Sequence, residues 1–304
     1  MGRVTPDLAG YFKIETKRRR DGETKWKKSG LFHFVSTSLR LFVSSFLILP
    51  TIIAPAITRA DMKTQTISYQ QGGTTFQGYL AYDDSIVGPR PGVLICPEWW
   101  GLTDYPKHRA EQLAKLGYIA FAIDMYGNGQ TTDDAQQAGQ LMTPVEQDRG
   151  LVRARASAGL DVLRKQPECD PTKIAAIGYC FGGLVALELA RSGADLSAVV
   201  SFHGNLTSPN PDQDQPIKPK ILVCTGADDA FVPPQQVADF QDEMRKAGAD
   251  YQVIIYGGAH HAFTNPDADR HGIKNIAYNA AADKRSFQAM MDLFQECWGR
   301  PGGK

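Results

Sequence analysis

Residues 177–183 read Ile177-Gly178-Tyr179-Cys180-Phe181-Gly182-Gly183. The apolar run Lys173–Ile177 predicts a buried strand before this stretch, and Leu184–Arg191 predicts a helix after it. A strand that becomes a helix within two residues must turn sharply, and the glycines on either side of Cys180 leave room for that turn. We therefore expect the Cys180 side chain to project above a sheet edge, at a helix N-terminus whose free N–H groups stabilise negative charge.

Beyond residue 60, strand-like and helix-like segments alternate along the chain. Alternating strands and helices form βαβ units, so the sequence predicts an α/β fold with a mostly parallel central sheet and helices on both faces. The segment Met125–Thr143 is rich in Gly, Asn, Gln and Asp and predicts a loop, followed by one long helix, Glu146–Lys165. The other predicted strands are Thr64–Tyr69, Thr75–Tyr82, Gly92–Cys96, Tyr118–Asp124, Leu196–Phe202, Lys220–Thr225 and Tyr251–Tyr256, and the other predicted helices are Tyr105–Leu116, Pro234–Ala247 and one ending near Trp298.

The first 60 residues differ in composition from the rest of the chain. They carry 11 Lys/Arg and four Asp/Glu and contain the uncharged, mostly apolar span 41–57. This pattern indicates an export signal, with Ala56 or Ala60 ending a possible cleavage site. We expect residues 1–60 to be a basic leader, residues 61–304 to be one domain, and the protein to be exported to the periplasm or secreted. If the leader is uncleaved, residues 41–57 would anchor the protein to a membrane.

Charge and cysteine spacing exclude several classes of function. Without the leader, 22 Lys/Arg stand against 29 Asp/Glu, and such an acidic body argues against a nucleic-acid binder. The five cysteines show no metal-ligand spacing, so we expect neither a metal nor another cofactor. We expect the protein to be a monomer whose partner is a small-molecule substrate. Cys96 and Cys224 lie in apolar strands and are expected to be inert core residues. His108 and His203 are interpreted as surface or structural residues.

An acid and a base follow two later strands, in the order that hydrolases with a strand-to-helix nucleophile require. Strand Lys220–Thr225 leads into a loop with Asp228 and Asp229, and strand Tyr251–Tyr256 leads into a loop with His260 and His261. The carboxyl ends of parallel strands gather at one edge of a sheet, so we expect one member of each pair beside Cys180. Spacing alone leaves both pairs open.

Four stretches stand out: Pro97-Glu98-Trp99-Trp100-Gly101, Gly178–Gly183, Asp229–Pro233 and His261-Ala262-Phe263. Together they resemble the dienelactone hydrolase family of the α/β-hydrolase superfamily, and the similarity spans residues 64–298. The resemblance implies Cys180 as the nucleophile, Asp229 as the acid and His261 as the base of an ester or lactone hydrolase. It also implies that Glu98 helps to activate the thiol.

The oxyanion hole is expected at the backbone N–H groups of Phe181 and Trp99, which follow Cys180 and Glu98. Three aromatic residues, Trp100, Tyr126 and Phe231, are expected to line a substrate pocket, although aromatic residues near a sheet edge also serve packing.

The sequence departs from the family where dienelactone enzymes carry arginines that hold the substrate carboxylate. Those places here read Gly127, Asn128 and Asn265, so a neutral ester or lactone is the expected substrate. A non-catalytic, ligand-binding protein with the same residues is the alternative.

Overall fold

The computed structural model describes residues 62–209 and 216–299. The expected leader, its cleavage sites and the apolar span 41–57 lie outside the described residues.

Eight strands form one sheet in the spatial order β1-β2-β4-β3-β5-β6-β7-β8. β1 pairs antiparallel with β2, β2 pairs antiparallel with β4, and every other neighbouring pair is parallel. The mostly parallel sheet confirms the predicted class. The strands are β1 Met62–Gln71, β2 Thr74–Asp83, β3 Arg90–Cys96, β4 Ile119–Ala122, β5 Cys169–Tyr179, β6 Ala198–Phe202, β7 Lys220–Gly226 and β8 Tyr251–Tyr256.

Helices cover both faces of this sheet, as predicted. Alternate residues of the central strands point to opposite faces, so Leu94 packs in one apolar core and Val93 in the other. Helices α1 and α6 contribute to the Val93 core, while α3, α4 and α5 contribute to the Leu94 core. The helices are α1 Asp104–Lys115, α2 Ala135–Gln147, α3 Arg149–Arg164, α4 Phe181–Arg191, α5 Pro234–Ala247 and α6 Ala280–Trp298.

The segment between β4 and β5 differs from the prediction. Part of the expected loop Met125–Thr143 is helical, because the Asp134 side chain accepts from the N–H of Gln137 and caps α2. The expected single helix Glu146–Lys165 is two helices. They break at Asp148, which leaves helical geometry (φ −103°, ψ 91°) and caps α3 by accepting from the N–H of Leu151.

The carboxyl ends of four parallel strands bring the candidate residues to one edge of the sheet. β3 ends two residues before Glu98, and β5 ends one residue before Cys180. β7 and β8 end before the loops that carry Asp229 and His261. Since neighbouring strand ends align in register, with Cys96 opposite Gly178 and Gly226 opposite Tyr256, these loops share one side of the sheet.

The turn at Cys180 depends on glycine for space. A Cβ on Gly178 would overlap the backbone of Gly182, and a Cβ on Gly182 would overlap the carbonyl group of Cys96. All residues of α4 are buried, so neither the helix nor the strand can move aside easily. The close approach of α4 to β3 therefore requires glycine at position 182.

Gly182→Ala is expected to destabilise the fold by about 3 kcal/mol, because backbone rather than a flexible side chain blocks the added methyl group. Gly139→Ala is the matched control: this glycine is in α2 with open space around its Cα, so alanine should stabilise by about 0.5–1 kcal/mol. Urea unfolding of the three proteins measures both effects. Equal stabilities for Gly182→Ala and the wild type would contradict this account of the turn.

Candidate active site

Cys180 occupies the sharp turn between β5 and α4. Its backbone has φ 54° and ψ −119°, a conformation that non-glycine residues rarely adopt. Its N–H points to both the carbonyl oxygen of Phe202, at 3.0 Å, and Nδ1 of His203, at 3.1 Å. The half-buried Cys180 side chain lines a cavity of about 350 Å³ at the N-terminus of α4.

Asp229 and His261 form a buried hydrogen-bonded pair that lies beside this cavity. Nδ1 of His261 donates to Oδ2 of Asp229 at 3.0 Å, which leaves Nε2 free of Asp229. The other Asp229 oxygen accepts the backbone N–H groups of Phe231, at 2.9 Å, and Val232, at 3.2 Å. These two backbone donors fix the carboxylate, and the carboxylate in turn orients the imidazole ring.

The structure separates the two alternatives that spacing left open. Asp228 is exposed, and its carbonyl oxygen accepts from Nδ1 of His260 at 3.1 Å. Asp229 and His261 are both buried and bonded to each other. The geometry therefore selects Asp229 and His261 as the pair next to Cys180.

The pKa of His261 responds to its neighbours. Burial lowers this pKa. The negative charge of Cys180 and the hydrogen bonds to Asp229 and Cys180 raise it by more than burial lowers it, so the pKa of His261 is about 10. An imidazole with this pKa is protonated at neutral pH. It can therefore stabilise a thiolate on Cys180 and later release a proton to a leaving group.

Glu98 is buried behind the same sheet edge and is 2% exposed. Oε2 accepts a hydrogen bond from Nδ2 of Asn265 at 2.7 Å. Burial raises the pKa of Glu98 to about 7, although the Asn265 hydrogen bond and the charges of His261 and Arg109 oppose the rise. Glu98 is therefore poised to change protonation state near neutral pH, and Asn265, which occupies an arginine place of the family, contacts it directly.

The two residues expected to form an oxyanion hole both line the cavity with Cys180. Phe181 is the first residue of α4, so its N–H has no acceptor within the helix. The carbonyl oxygen of Trp99 accepts from the hydroxyl of Tyr126 at 2.8 Å, which fixes the orientation of this loop.

Of the three aromatic residues expected in the pocket, the structure places one there. Phe231 lines the cavity and its ring centroid lies 4.9 Å from that of His261. Trp100 does not line it; its buried ring stacks on His271 at 4.0 Å and faces a second cavity of about 570 Å³. Tyr126 does not line it either; its buried ring stacks on that of Phe181, and its hydroxyl donates to the carbonyl oxygen of Trp99. Sequence reasoning missed six lining residues: Met142, Glu146, Asn205, Val232, Ile273 and Ile276.

His203 is a structural residue, as interpreted, but it also contacts the nucleophile. Its Nδ1 accepts from the Cys180 N–H, so its Nε2–H donates to Oγ1 of Thr264 at 2.7 Å. Burial and the charge of His261 hold the pKa of His203 well below its usual range, and the ring stays neutral. Because Thr264 follows His261 in the same loop, His203 ties the base loop to the Cys180 turn. Its position just after β6 was the available sequence signal.

The remaining candidates behave as isolated residues. Cys96 and Cys224 are fully buried, and burial raises the pKa of Cys224 to about 12, as expected for inert core thiols. His108 is exposed.

Within residues 62–209 and 216–299, no group of three or more His, Cys, Asp or Glu side chains could hold a metal ion. No helix in these ranges has the length and apolar character needed to cross a membrane.

The raised pKa of Glu98 predicts a pH-dependent loss of stability. A carboxyl whose folded pKa lies above its unfolded value contributes stability at low pH and loses it as the pH rises. Between pH 4.5 and 7 the wild type should therefore lose on the order of 3 kcal/mol of unfolding free energy relative to Glu98→Gln. Urea unfolding at several pH values measures this difference. The exposed Glu296→Gln serves as control, and parallel pH curves for wild type and Glu98→Gln would show that Glu98 titrates normally.

Comparison with known proteins places this chain in a family. The sequence model of the dienelactone hydrolase family matches residues 76–298. A protein named usf from Aquifex pyrophilus is 32% identical over 210 residues, covering 66% of this chain and 87% of its own. A solved dienelactone hydrolase-like promiscuous phosphotriesterase, P91, from metagenomic libraries is 43% identical with a TM-score of 0.75, covering 79% of this chain and 99% of its own.

A second solved structure, m3DLH, is 44% identical with a TM-score of 0.75 and covers 78% of this chain and 98% of its own. The family match spans well over half of the chain and includes every candidate residue from Glu98 to His261. The chain therefore belongs to the dienelactone hydrolase family of the α/β-hydrolase superfamily, and it is a carboxylic ester or lactone hydrolase.

Proposed function

We propose that this enzyme hydrolyses a neutral carboxylic ester or lactone through a covalent acyl-enzyme on Cys180. The observation that carries the proposal is the 3.0 Å hydrogen bond from His261 to Asp229 beside the Cys180 turn. The charge of Cys180 is one cause of the raised pKa of His261, which supports a thiolate–imidazolium pair.

In the first half of the reaction, the Cys180 thiolate attacks the ester carbonyl carbon, and the carbonyl π electrons move to oxygen. The N–H groups of Phe181 and Trp99 stabilise this oxyanion. When the tetrahedral species collapses, the bond to the alkoxide breaks, and His261 gives its proton to the departing oxygen. A thioester on Cys180 and a neutral His261 remain.

In the second half, water attacks the thioester while neutral His261 takes its proton. The second tetrahedral species collapses, expels the Cys180 thiolate and releases the acid. His261 is again protonated, so the starting ion pair is restored. Asp229 holds the imidazole in the tautomer that both proton transfers need. Glu98, with a pKa of about 7, would act as a local base that takes the proton from Cys180 whenever the thiolate has been reprotonated, and so restores the thiolate.

The proposal of a neutral substrate rests on the lining of the cavity. Asn265 directs its amide to Glu98, and neither Lys nor Arg is among the lining residues that the structure describes. A substrate carboxylate would therefore lack a fork-shaped cationic partner.

Cys180→Ala should reduce hydrolysis of an activated neutral aryl ester by about 10³-fold or more, because the covalent route is removed. The same variant should lower the pKa of His261 below about 10, since the Cys180 charge is lost. Steady-state kinetics and NMR titration of the His261 ring measure the two effects, with His260 as internal control. Full activity in Cys180→Ala would overturn the nucleophile assignment. Rapid iodoacetamide labelling of Cys180 in an inactive wild type would favour the ligand-binding alternative.

We further propose that the protein is exported and acts as a monomer in the periplasm or outside the cell. Export is supported by the leader 1–60, which has a basic first part followed by the apolar span 41–57. If the leader is not cleaved, residues 41–57 would anchor the protein to a membrane. N-terminal sequencing of the mature protein should find Ile57 or Asp61 first. A Leu47→Arg control should retain the protein inside the cell. Intact wild-type chain in the soluble cytoplasmic fraction would contradict export.

A further inference from the structure

We propose that Glu146 sets the substrate class of the Cys180 cavity. Its carboxylate would favour a neutral ester or lactone whose remote end carries a hydrogen-bond donor, would favour an ammonium probe more strongly because of its charge, and would disfavour a substrate that carries a carboxylate. This inference rests on the proposed function, because it concerns the group that a substrate at Cys180 presents to the cavity wall.

Glu146 lies in the last turn of α2 and lines the same cavity as Cys180 and His261. A carboxylate at this end of a helix is disfavoured by the helix dipole. Partial burial adds a desolvation cost. Glu146 is not needed for α2 to form, since the buried contacts of this helix come from Ala138 and Val145.

One oxygen of Glu146 is held and the other is available. Oε1 accepts from Nδ2 of Asn205 at 3.2 Å. Oδ1 of Asn205 accepts from the backbone N–H of Thr207, at 3.0 Å, and from the Thr207 hydroxyl, at 2.9 Å. Flipping the Asn205 amide would lose both hydrogen bonds, so its Nδ2 stays directed at Glu146. In the described part of the chain Oε2 of Glu146 makes no hydrogen bond. A donor on a bound ligand could therefore use this oxygen.

The cations near Glu146 are directed elsewhere. Arg149 donates to the backbone oxygen of Glu146 at 2.9 Å, and its Nε lies 3.9 Å from Glu188. Arg153 and Arg191 also pair with Glu188. Arg149 acts on Glu146 through space but does not line the cavity. Among the cavity-lining residues that the structure describes, Glu146 is therefore the charged group that a ligand meets apart from Cys180 and His261.

Glu146 and Cys180 line the same cavity of about 350 Å³. Burial, followed by the negative charges of Cys180 and Glu146, raises the pKa of the Tyr126 hydroxyl, so both anions act on the same group. Much of the remaining wall is apolar, including Met142, Ile273 and Ile276. Charge discrimination is stronger in such surroundings than in water.

The test compares substrates that differ only at their remote end. Two sets of esters are used, and each carries an aminomethyl, hydroxymethyl, ethyl or carboxymethyl group. In the 4-nitrophenyl benzoates this group is at the 4-position of the acyl ring, and in the phenyl acetates it is at the 4-position of the leaving phenol. In at least one set, kcat/KM for the wild type should fall from ammonium to hydroxyl to ethyl to carboxylate. Glu146→Gln should reduce the ammonium-to-carboxylate ratio about ten-fold, and Glu146→Lys should invert the order. Asp161→Asn, an exposed charge removal on α3, is the matched control.

A second measurement does not need turnover. Aminoethyl and sulfonatoethyl methanethiosulfonates form a disulfide with a thiolate and expel methanesulfinate, so their rates at Cys180 report the charge preference of the cavity directly. Peptide mass mapping follows Cys180, and Cys180→Ala gives the background. The cation-to-anion rate ratio should fall about ten-fold in Glu146→Gln and stay unchanged in Asp161→Asn.

An unchanged ratio in Glu146→Gln in this assay, or an equal change in Asp161→Asn, would overturn the inference. Full ester hydrolysis by Cys180→Ala would instead overturn the proposed function, while the thiosulfonate ratios would still decide the role of Glu146.

Discussion

The backbone of Cys180 is held in a conformation that costs a non-glycine residue about 1–3 kcal/mol. The surrounding structure fixes it there. α4 is buried along its whole length, and the Cys180 N–H is directed to β6 through Phe202 and to His203. The strain therefore has a function: it lifts one side chain off the sheet while the N-terminus of α4 stays directly beneath it, where its free N–H groups stabilise negative charge.

Two buried carboxyl groups near this turn have different hydrogen-bond partners. Asp229 accepts two backbone N–H groups and the His261 imidazole, all of which favour its charged form. Glu98 accepts one neutral amide, from Asn265, and its burial raises its pKa to about 7. The environments thus give the base, His261, a carboxylate held by three hydrogen bonds, and give the neighbourhood of the Cys180 turn a carboxyl group that titrates near neutral pH, although both residues follow strand ends in the same way.

The pattern of buried strands was sufficient to predict most of the fold, and it placed Cys180, Glu98, one acidic pair and one histidine pair just after strand ends. The choice of Asp229 and His261 within those pairs came from the family resemblance, because spacing could not distinguish neighbouring residues of the same type. The sequence was insufficient for α2. A run rich in Gly and Gln has a weak helical pattern, and the helix depends on a cap at Asp134 and on tertiary contacts of Ala138 and Val145.

That error had a consequence for the site. Met142 fell in the segment taken for a loop, and Glu146 fell at the start of the expected single helix, so the wall that α2 gives the cavity was not predicted. Trp100 was misplaced for a different reason. Aromatic residues next to a strand end can face either side of the loop, and only packing decides; here Trp100 turns to His271 while Trp99 faces Cys180.

The contacts of His203 explain how loops from distant parts of the chain keep a common geometry. Cys180, His203 and Thr264 form a hydrogen-bonded chain that the hydroxyl of Tyr105 extends, at 2.7 Å from Oγ1 of Thr264. Arg109 donates to the Thr264 carbonyl oxygen at 2.7 Å. A neutral His203 is essential to this chain, since a protonated ring could not accept from the Cys180 N–H. The same burial that keeps His203 neutral therefore keeps the nucleophile and the base loop in register, and the protonated imidazole of the site is confined to His261.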